Sequence, residues 1–399
     1  MHFYTSVNMN YLPKARVLAK SVKKYCKNAK FSLVFSDIWP EMLDKNKEPF
    51  DEIICIEEMN FPIENLKLWI FGHTVVELCT AVKGQALVRF LEEGSKKVVY
   101  LDPDIAVFNS LHEIEALLDQ YDIILTPHLT EPERDMKSIL DNEISALMHG
   151  AYNFGFYGVR ASENGLRYAR WWRDRLIHFC YDDISNGIFT DQKWGDLIPS
   201  FFDQVFIIKD PGYNVSTWNI SNRKMKRNEN GQYMINDTEL KFYHFSGFDS
   251  GAQEEMLRKY AKDNPHIYEL REWYAKKLQE EGQEYCGRYV SSYLFYDNGE
   301  RITKEERKLL IKRKDIWEHF KDIDPYVVEQ AKSYKKWLCS EGLLEIEDEE
   351  GDKLRKKIER LETRERDLRT ELEAVYLSKA WRFAVTLRKI KKKIMGGAI

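Results

Sequence analysis

The chain has 399 residues, 43% of them hydrophobic and 32% charged, with a formal net charge of −4. This length exceeds the usual size of one domain and supplies enough apolar surface for a large core, which excludes a mainly disordered chain. The nearly balanced charge gives no global field to recruit nucleic acid, six scattered cysteines fit neither a disulfide scaffold nor a zinc site, and no run of about 18 apolar residues marks a transmembrane helix.

The opening Met1-His2-Phe3-Tyr4-Thr5-Ser6-Val7 enters an apolar strand pattern at once, without the basic and apolar regions of a signal peptide, so a cytoplasmic protein with reduced thiols is expected. Residues 3–7 predict a strand and residues 8–10 a loop. Pro13 suits a first helical turn, and Ala15, Leu18, Ala19, Val22 and Tyr25 recur at helical spacing, predicting a helix to about residue 27. Residues 31–35 and 53–56 predict two more strands, 75–91 an amphipathic helix, and 98–101 a strand whose unbroken apolar run suits burial on both faces. Strands alternating with helices predict an α/β fold, a mostly parallel sheet with helices on both sides.

Past residue 250 the character changes. Charged helical segments interrupted at Pro265 and Pro325 predict a helical appendage over 251–350. Leu354, Ile358, Leu361, Leu368, Leu372 and Val375 then recur at four- and three-residue steps, with Glu365 breaking the seam, which predicts a short coiled coil at 351–378. Such a seam is short enough that homo-oligomerisation and packing on the protein's own body both remain open. The tail at 379–399 sets Lys379, Arg382, Arg388, Lys389, Lys391, Lys392 and Lys393 among Trp381, Phe383, Val385, Leu387, Ile390 and Ile394, with no acidic residue. A basic amphipathic helix of this kind predicts peripheral contact with an anionic inner-membrane surface; the alternative is a solvated helix end favoured by its dipole.

The stretch richest in chemistry is Val98-Val99-Tyr100-Leu101-Asp102-Pro103-Asp104, followed by Ile105-Ala106-Val107-Phe108. Two carboxylates at i and i+2 stand where a buried strand runs out, the place where open α/β sheets collect ligand-binding groups. Extended backbone turns residues two apart to one side, and Pro103 biases Asp102 toward that conformation, so both carboxylates are expected to meet one cation. Such oxygen ligands suit Mg²⁺ or Mn²⁺, which would bridge them to a diphosphate and neutralise the charge that builds on it as it departs. The competing reading is an acidic turn at a strand end, since Asp-x-Asp alone is weakly specific.

On these residues the chain resembles the glycosyltransferases of the GT-A fold, and among them the retaining family 8 type or a close bacterial relative. The resemblance spans about residues 1–250 and takes in further segments in order. The opening strand, loop and helix, with Thr5, Ser6 and Asn8, stand where such enzymes place the nucleotide. A helix holding Thr80 and Lys83 matches the family's basic residue that approaches the diphosphate. Tyr152-Asn153-Phe154-Gly155-Phe156 resembles the segment that touches the donor sugar, Thr190-Asp191-Gln192 the pair that binds sugar hydroxyls, and Phe242-Tyr243-His244-Phe245-Ser246-Gly247 the late motif whose histidine completes the metal shell.

The resemblance therefore implies Asp102, Asp104 and His244 as metal ligands, Asp191 and Gln192 as catalytic residues, and Thr5, Ser6, Asn8, Lys83, Asp102, Asn153 and Gly155 as donor-binding residues. It also implies a UDP-sugar donor, a surface glycan, glycolipid or glycoprotein acceptor, and retention of anomeric configuration; an inverting enzyme would need a base, for which Asp191 and Asp249 are the candidates.

Two departures stand out. Phe154 replaces a small hydroxyl residue, and Phe248-Asp249 follows Gly247 where the family often carries a diphosphate-clamping Lys-Pro-Trp, leaving Lys83, Arg223 and Lys241 as candidate cations. Each site residue also has an ordinary structural use: His244 in the core, Asp191 capping a helix at 192–197, Lys83 on a solvated helix face, Asn153 in a turn. Trp171, Trp172, Trp194 and Trp218 are expected in the core rather than stacked on sugar. Phosphate-loop, dinucleotide-fingerprint and nucleophile-elbow motifs are absent, which removes the main support for ATPase, dehydrogenase and serine-hydrolase functions. Two alternatives remain, a nucleotidyltransferase and a catalytically inert coiled-coil membrane adaptor.

Overall fold

Every residue of the first strand, β1 (His2–Val7), is buried. Its side chains alternate between two cores, with Phe3 and Val7 in one apolar cluster and Tyr4 in the other. A continuous apolar run gives this result when both faces of a sheet are covered. The computed structural model describes residues 1–341, so the expected coiled coil at 351–378 and basic tail at 379–399 lie outside the described residues. The chain divides into two units, Met1–Ala331 and Lys332–Ile399; the described part of the second holds a short helix, Tyr334–Ser340.

In the first unit β1 leads into α1 (Leu12–Tyr25), β2 (Lys30–Phe35), β3 (Glu52–Cys55), α2 (Val75–Glu92), β4 (Lys97–Leu101), β5 (Ile105–Val107), α3 (His112–Gln120), β6 (Ile123–Pro127), β7 (Tyr152–Arg160), α4 (Glu163–Phe179), β8 (Val205–Ile207), β9 (Phe242–His244) and α5 (Pro265–Glu280). Seven strands form the main sheet in the order β8-β6-β7-β4-β1-β2-β3. Pairing is parallel along β4-β1-β2-β3 and between β8 and β6. Only β7 runs against its neighbours β4 and β6. One face of the sheet packs on α2 and α4 through Leu78, Val82, Leu87, Tyr168 and Trp172, the other on α1 and α3 through Leu18, Val22, Ile114 and Leu118.

The expected mostly parallel α/β sheet flanked by helices is present. The antiparallel strand β7 was not anticipated from residues 152–160, whose two glycines dilute a strand signal. The helix expected at 192–197 is a 3₁₀ helix at Lys193–Leu197. The expected boundary between residues 250 and 251 falls inside the first unit, where Ile267, Leu270 and Tyr274 of α5 share a third cluster with Tyr243 of β9 and Val17 of α1. All six cysteines are unpaired.

Two features of this topology build a site. The register pairs Leu101, the last residue of β4, with Phe156 of β7, and the ladder continues as the Asp102 amide donates to the Gly155 carbonyl at 2.8 Å. Beyond the turn at Pro103, β5 pairs with β9, setting Ile105 opposite His244.

Candidate active site

Where β4 ends, the Ile105 amide donates to the Asp102 carbonyl at 3.0 Å and closes a tight turn around Pro103 and Asp104. The neighbouring β5–β9 pair then carries His244 to the same spot, with Nε2 3.0 Å from Asp104 Oδ1 and 3.8 Å from Asp102 Oδ2. One ligating atom from each of the three residues lies within 4.8 Å of the other two. Two carboxylate oxygens and one imidazole nitrogen at this spacing suit a divalent cation. His244 Nδ1 lies 3.3 Å from Asn214 Oδ1, and a proton on Nδ1 leaves the Nε2 lone pair facing the carboxylates, the outer-shell arrangement common to metal-binding histidines. Burial works against charge on both His244 and Asp104, but each outweighs that for the other: the imidazole is held above its ordinary value and the carboxyl down at about 2.

Gly155 belongs to this cluster for a steric reason. A Cβ there would sit 2.5 Å from His244 Cε1, 2.8 Å from Asn153 Oδ1 and 2.9 Å from Asp102 Oδ2. Only a residue without a side chain lets the acidic turn and the histidine close over β7.

Lys83 lies inside the protein rather than on a solvated helix face. Its ammonium reaches Asp102 Oδ1 at 3.1 Å and Asp191 Oδ2 at 2.9 Å, and stands 4.3 Å above the Tyr100 ring. Burial disfavours this charge, but the two carboxylates overrule it and raise the lysine well above its ordinary value. Burial pushes the Asp191 carboxyl up in spite of Lys83. Tyr100 donates its hydroxyl to Asp102 Oδ1 at 2.7 Å, so that one oxygen is held by two donors while Oδ2 turns toward His244.

Gln192 and Asn153 complete a polar wall. Gln192 Oε1 accepts from the Phe154 amide at 3.1 Å and from Asn153 Nδ2 at 3.2 Å, and its Nε2 donates to the His149 carbonyl at 3.0 Å. Asn153 Oδ1 accepts from Asn214 Nδ2 at 3.0 Å. Trp172, in the core, donates to the Asp191 carbonyl at 3.2 Å. A chain of hydrogen bonds and ion pairs therefore joins Asp102, Asp104, His244, Lys83, Asp191, Asn153, Gly155 and Gln192.

The residues of β1 are less closely involved. Thr5, Ser6 and Asn8 are buried at or just past the strand's end. Ser6 donates to the Cys79 carbonyl at 2.6 Å and lies 3.3 Å from the Tyr100 hydroxyl, through which it meets Asp102. No described side-chain hydrogen bond links Thr5 or Asn8 to the network.

Of the candidate cations, Arg223 donates to the Tyr213 carbonyl and Lys241 pairs with Glu113 and Glu239. Three participants carried no sequence signal: Asn214; His128, which burial pushes down to about 4 and which meets Asn153 at 3.2 Å; and Lys14. Trp218, expected in the core, is half-buried and stands edge-on to His244 at 5.1 Å. The Lys14 ammonium lies 3.8 Å from the Tyr11 ring centroid and is ion-paired with Asp249.

No family model matches the chain. Over 260 residues it is 26% identical to the uncharacterized protein YfnD of Bacillus subtilis, covering 64% of this chain and 80% of that protein. Over 206 residues it is 26% identical to the uncharacterized protein YfnF of the same organism, covering 49% of this chain and 65% of that protein. Among solved structures it is similar to galactosyltransferase LgtC in complex with donor and acceptor sugar analogs, with 15% identity and a TM-score of 0.35 over 62% of this chain and 87% of that one. It is also similar to the apo form of the glycosyltransferase GlyE of Streptococcus pneumoniae, with 15% identity and a TM-score of 0.34 over 54% of this chain and 46% of that one.

Proposed function

We propose that this chain is a metal-dependent glycosyltransferase that moves a sugar from a nucleotide-sugar donor, a UDP-sugar by resemblance, to a glycan, glycolipid or glycoprotein acceptor with retention of configuration. Asp102, Asp104 and His244 converge at the carboxyl end of β4, within reach of a buried Lys83, and this convergence carries the reading. Mn²⁺ or Mg²⁺ held by these three residues would supply the positive charge that a departing diphosphate needs. The protein's own residues do the rest. Lys83 fixes Asp102 and Asp191 relative to one another, and Tyr100 holds the Asp102 oxygen that faces away from His244. Gln192 and Asn153, hydrogen-bonded to each other, and Asp191, held by Lys83, would offer acceptors and donors to sugar hydroxyls. Preorganised groups of this kind cost no reorganisation at the moment of transfer. The acceptor approaches from the open side, where Asp102 and Asp104 retain 25% and 15% side-chain exposure. The basic tail would bring the enzyme to membrane-bound acceptors, and the heptad segment would serve self-association.

A panel of nucleotide sugars, each with and without Mn²⁺, tests this by nucleotide release and thermal stabilisation. One nucleotide sugar is expected to do both, and only with metal. Asp104→Ala is expected to lower turnover by about a hundredfold or more and to abolish metal-dependent stabilisation, because it removes a direct ligand. Undiminished turnover in excess chelator sinks the proposal, and an inverted product anomer by proton NMR sinks the retaining mechanism alone.

A further inference from the structure

We infer that Lys14 is the phosphate-binding cation of this site, held by Asp249 until an anionic oxygen of a nucleoside diphosphate takes that carboxylate's place. The inference rests on the nucleotide-sugar reading given above. Lys14 occupies the first turn of α1, where the helix dipole opposes a positive side chain. It is also 1% exposed. A buried ammonium in such a place is costly unless anions face it. Those that face it are Asp249, in direct contact, and Asp104, whose charge acts on it from the metal cluster, while Tyr11 presents its ring.

The two members of the Lys14–Asp249 pair are held very differently. The Lys14 side chain is 2% exposed and that of Asp249 45%. Asp249 stands on a loop between Gly247 and Gly251, whose φ angles of +72° and +78° place them in the left-handed region. The carboxylate can exchange its partner for water at small cost, and the ammonium cannot. The Asp104 carbonyl accepts from the Phe245 amide at 2.8 Å, four residues before Asp249, and the charge of the Asp104 carboxylate, one of the three proposed metal ligands, acts on Lys14, so a diphosphate bound at the metal brings its charge toward the lysine. The other cations near the site have fixed partners: Lys83 bridges Asp102 and Asp191, Arg223 holds the Tyr213 carbonyl, and Lys241 pairs with Glu113 and Glu239. Asp249 thus marks the position of the phosphate.

Calorimetric titration of the full chain in Mn²⁺ tests this, using whichever of UDP, GDP, CDP or ADP most stabilises the wild type, together with its phosphate-free nucleoside. Lys14→Met is expected to weaken the diphosphate about tenfold or more, leaving the nucleoside unchanged and Mn²⁺ alone bound no more weakly. Asp249→Asn is expected to strengthen the diphosphate several-fold, because it removes a competing anion. If the pair is only a structural clasp, the two substitutions weaken binding alike, and this overturns the inference. A folded Lys14→Met protein that binds the diphosphate like the wild type overturns it too. If Lys14→Met fails to fold, the sign of the Asp249→Asn effect decides. A wild-type chain that binds none of the four nucleotides removes the glycosyltransferase reading and this inference together, an outcome distinct from the failure of Lys14 alone.

Discussion

Gly155 shows most directly how single residues set the site. His244, Asn153 and Asp102 all crowd the place where its side chain would be. Gly155→Ala is therefore expected to force the β4 turn and β9 apart, at a cost of about 1–3 kcal/mol for overpacking, and to weaken Mn²⁺ binding about tenfold or more while the sheet persists. Metal titration alongside far-ultraviolet circular dichroism checks this; unaltered Mn²⁺ affinity in a folded variant contradicts the crowding. The sequence makes part of this site legible. Asp102 and Asp104 announce themselves through a local pattern of apolar strand, acidic pair and proline, and His244 stands out in an aromatic strand. Asn214, His128 and Lys14 announce nothing. Their positions come from chain crossings between distant segments, such as the contact of α1 with the loop after Gly247, and no local spacing encodes these.

Among elements, the pairing of α2 with α4 decides where Lys83 lies. The two helices approach so closely that a Cβ on Gly84 would stand 2.7 Å from Arg173 Cα. Because that neighbour is backbone, Gly84→Ala must move a helix, and its gain in helix propensity of about 1 kcal/mol is smaller than an overpacking cost of up to about 3 kcal/mol. The variant is expected to melt a few degrees lower and, with Lys83 shifted, to bind nucleotide more weakly; a rise in melting temperature would show that the helices can part freely. The parallel strands were readable because double-sided burial demands unbroken apolar runs, as in β1 and β4. The β7 strand escaped because glycines and polar residues dilute its signal, and the β5–β9 ladder because its strands are short and distant in sequence. The competing reading of Lys83 as a solvated helix residue fails for a related reason: α2 is covered by both the sheet and α4, so a lysine on it can be buried.

For the whole molecule, the first unit ends at Ala331, and truncation after Glu373 removes only residues beyond the described chain. Such a truncation is expected to abolish sedimentation with anionic vesicles at low salt, at about 1 kcal/mol per basic residue lost, and to leave donor hydrolysis in solution unchanged. Full-length protein that stays unbound under those conditions rules out the membrane role. The stability of the first unit should itself depend on pH, through histidines far from the metal cluster. Burial, aided by Lys30, pushes His2 down to about 4; its two ring nitrogens lie 2.8 Å from the Ser95 and Ser32 hydroxyls. Burial, aided by Arg307 and opposed by Glu77, likewise pushes His73 to about 4, and its Nε2 has no hydrogen-bond partner. In the unfolded chain both titrate near 6.5, so acid protonates the unfolded state first. Stability is then fully present above about pH 6.5 and is lost as pH falls toward the folded value of about 4. At pH 5 the loss approaches about 2 kcal/mol per histidine, a large share of a typical folding free energy. This window lies above most carboxylate titration, so a falling thermal midpoint between pH 7 and pH 5 reports mainly on histidines. His2→Asn should flatten that decline by about one proton's worth of slope, since it removes one of three such groups, the third being His128, which burial also pushes down to about 4. A midpoint constant from pH 7 to pH 5 in the wild type would mean that the imidazoles of His2 and His73 find a way to ionise in place, and that the start of β1 and the entry to α2 are looser than their packing implies.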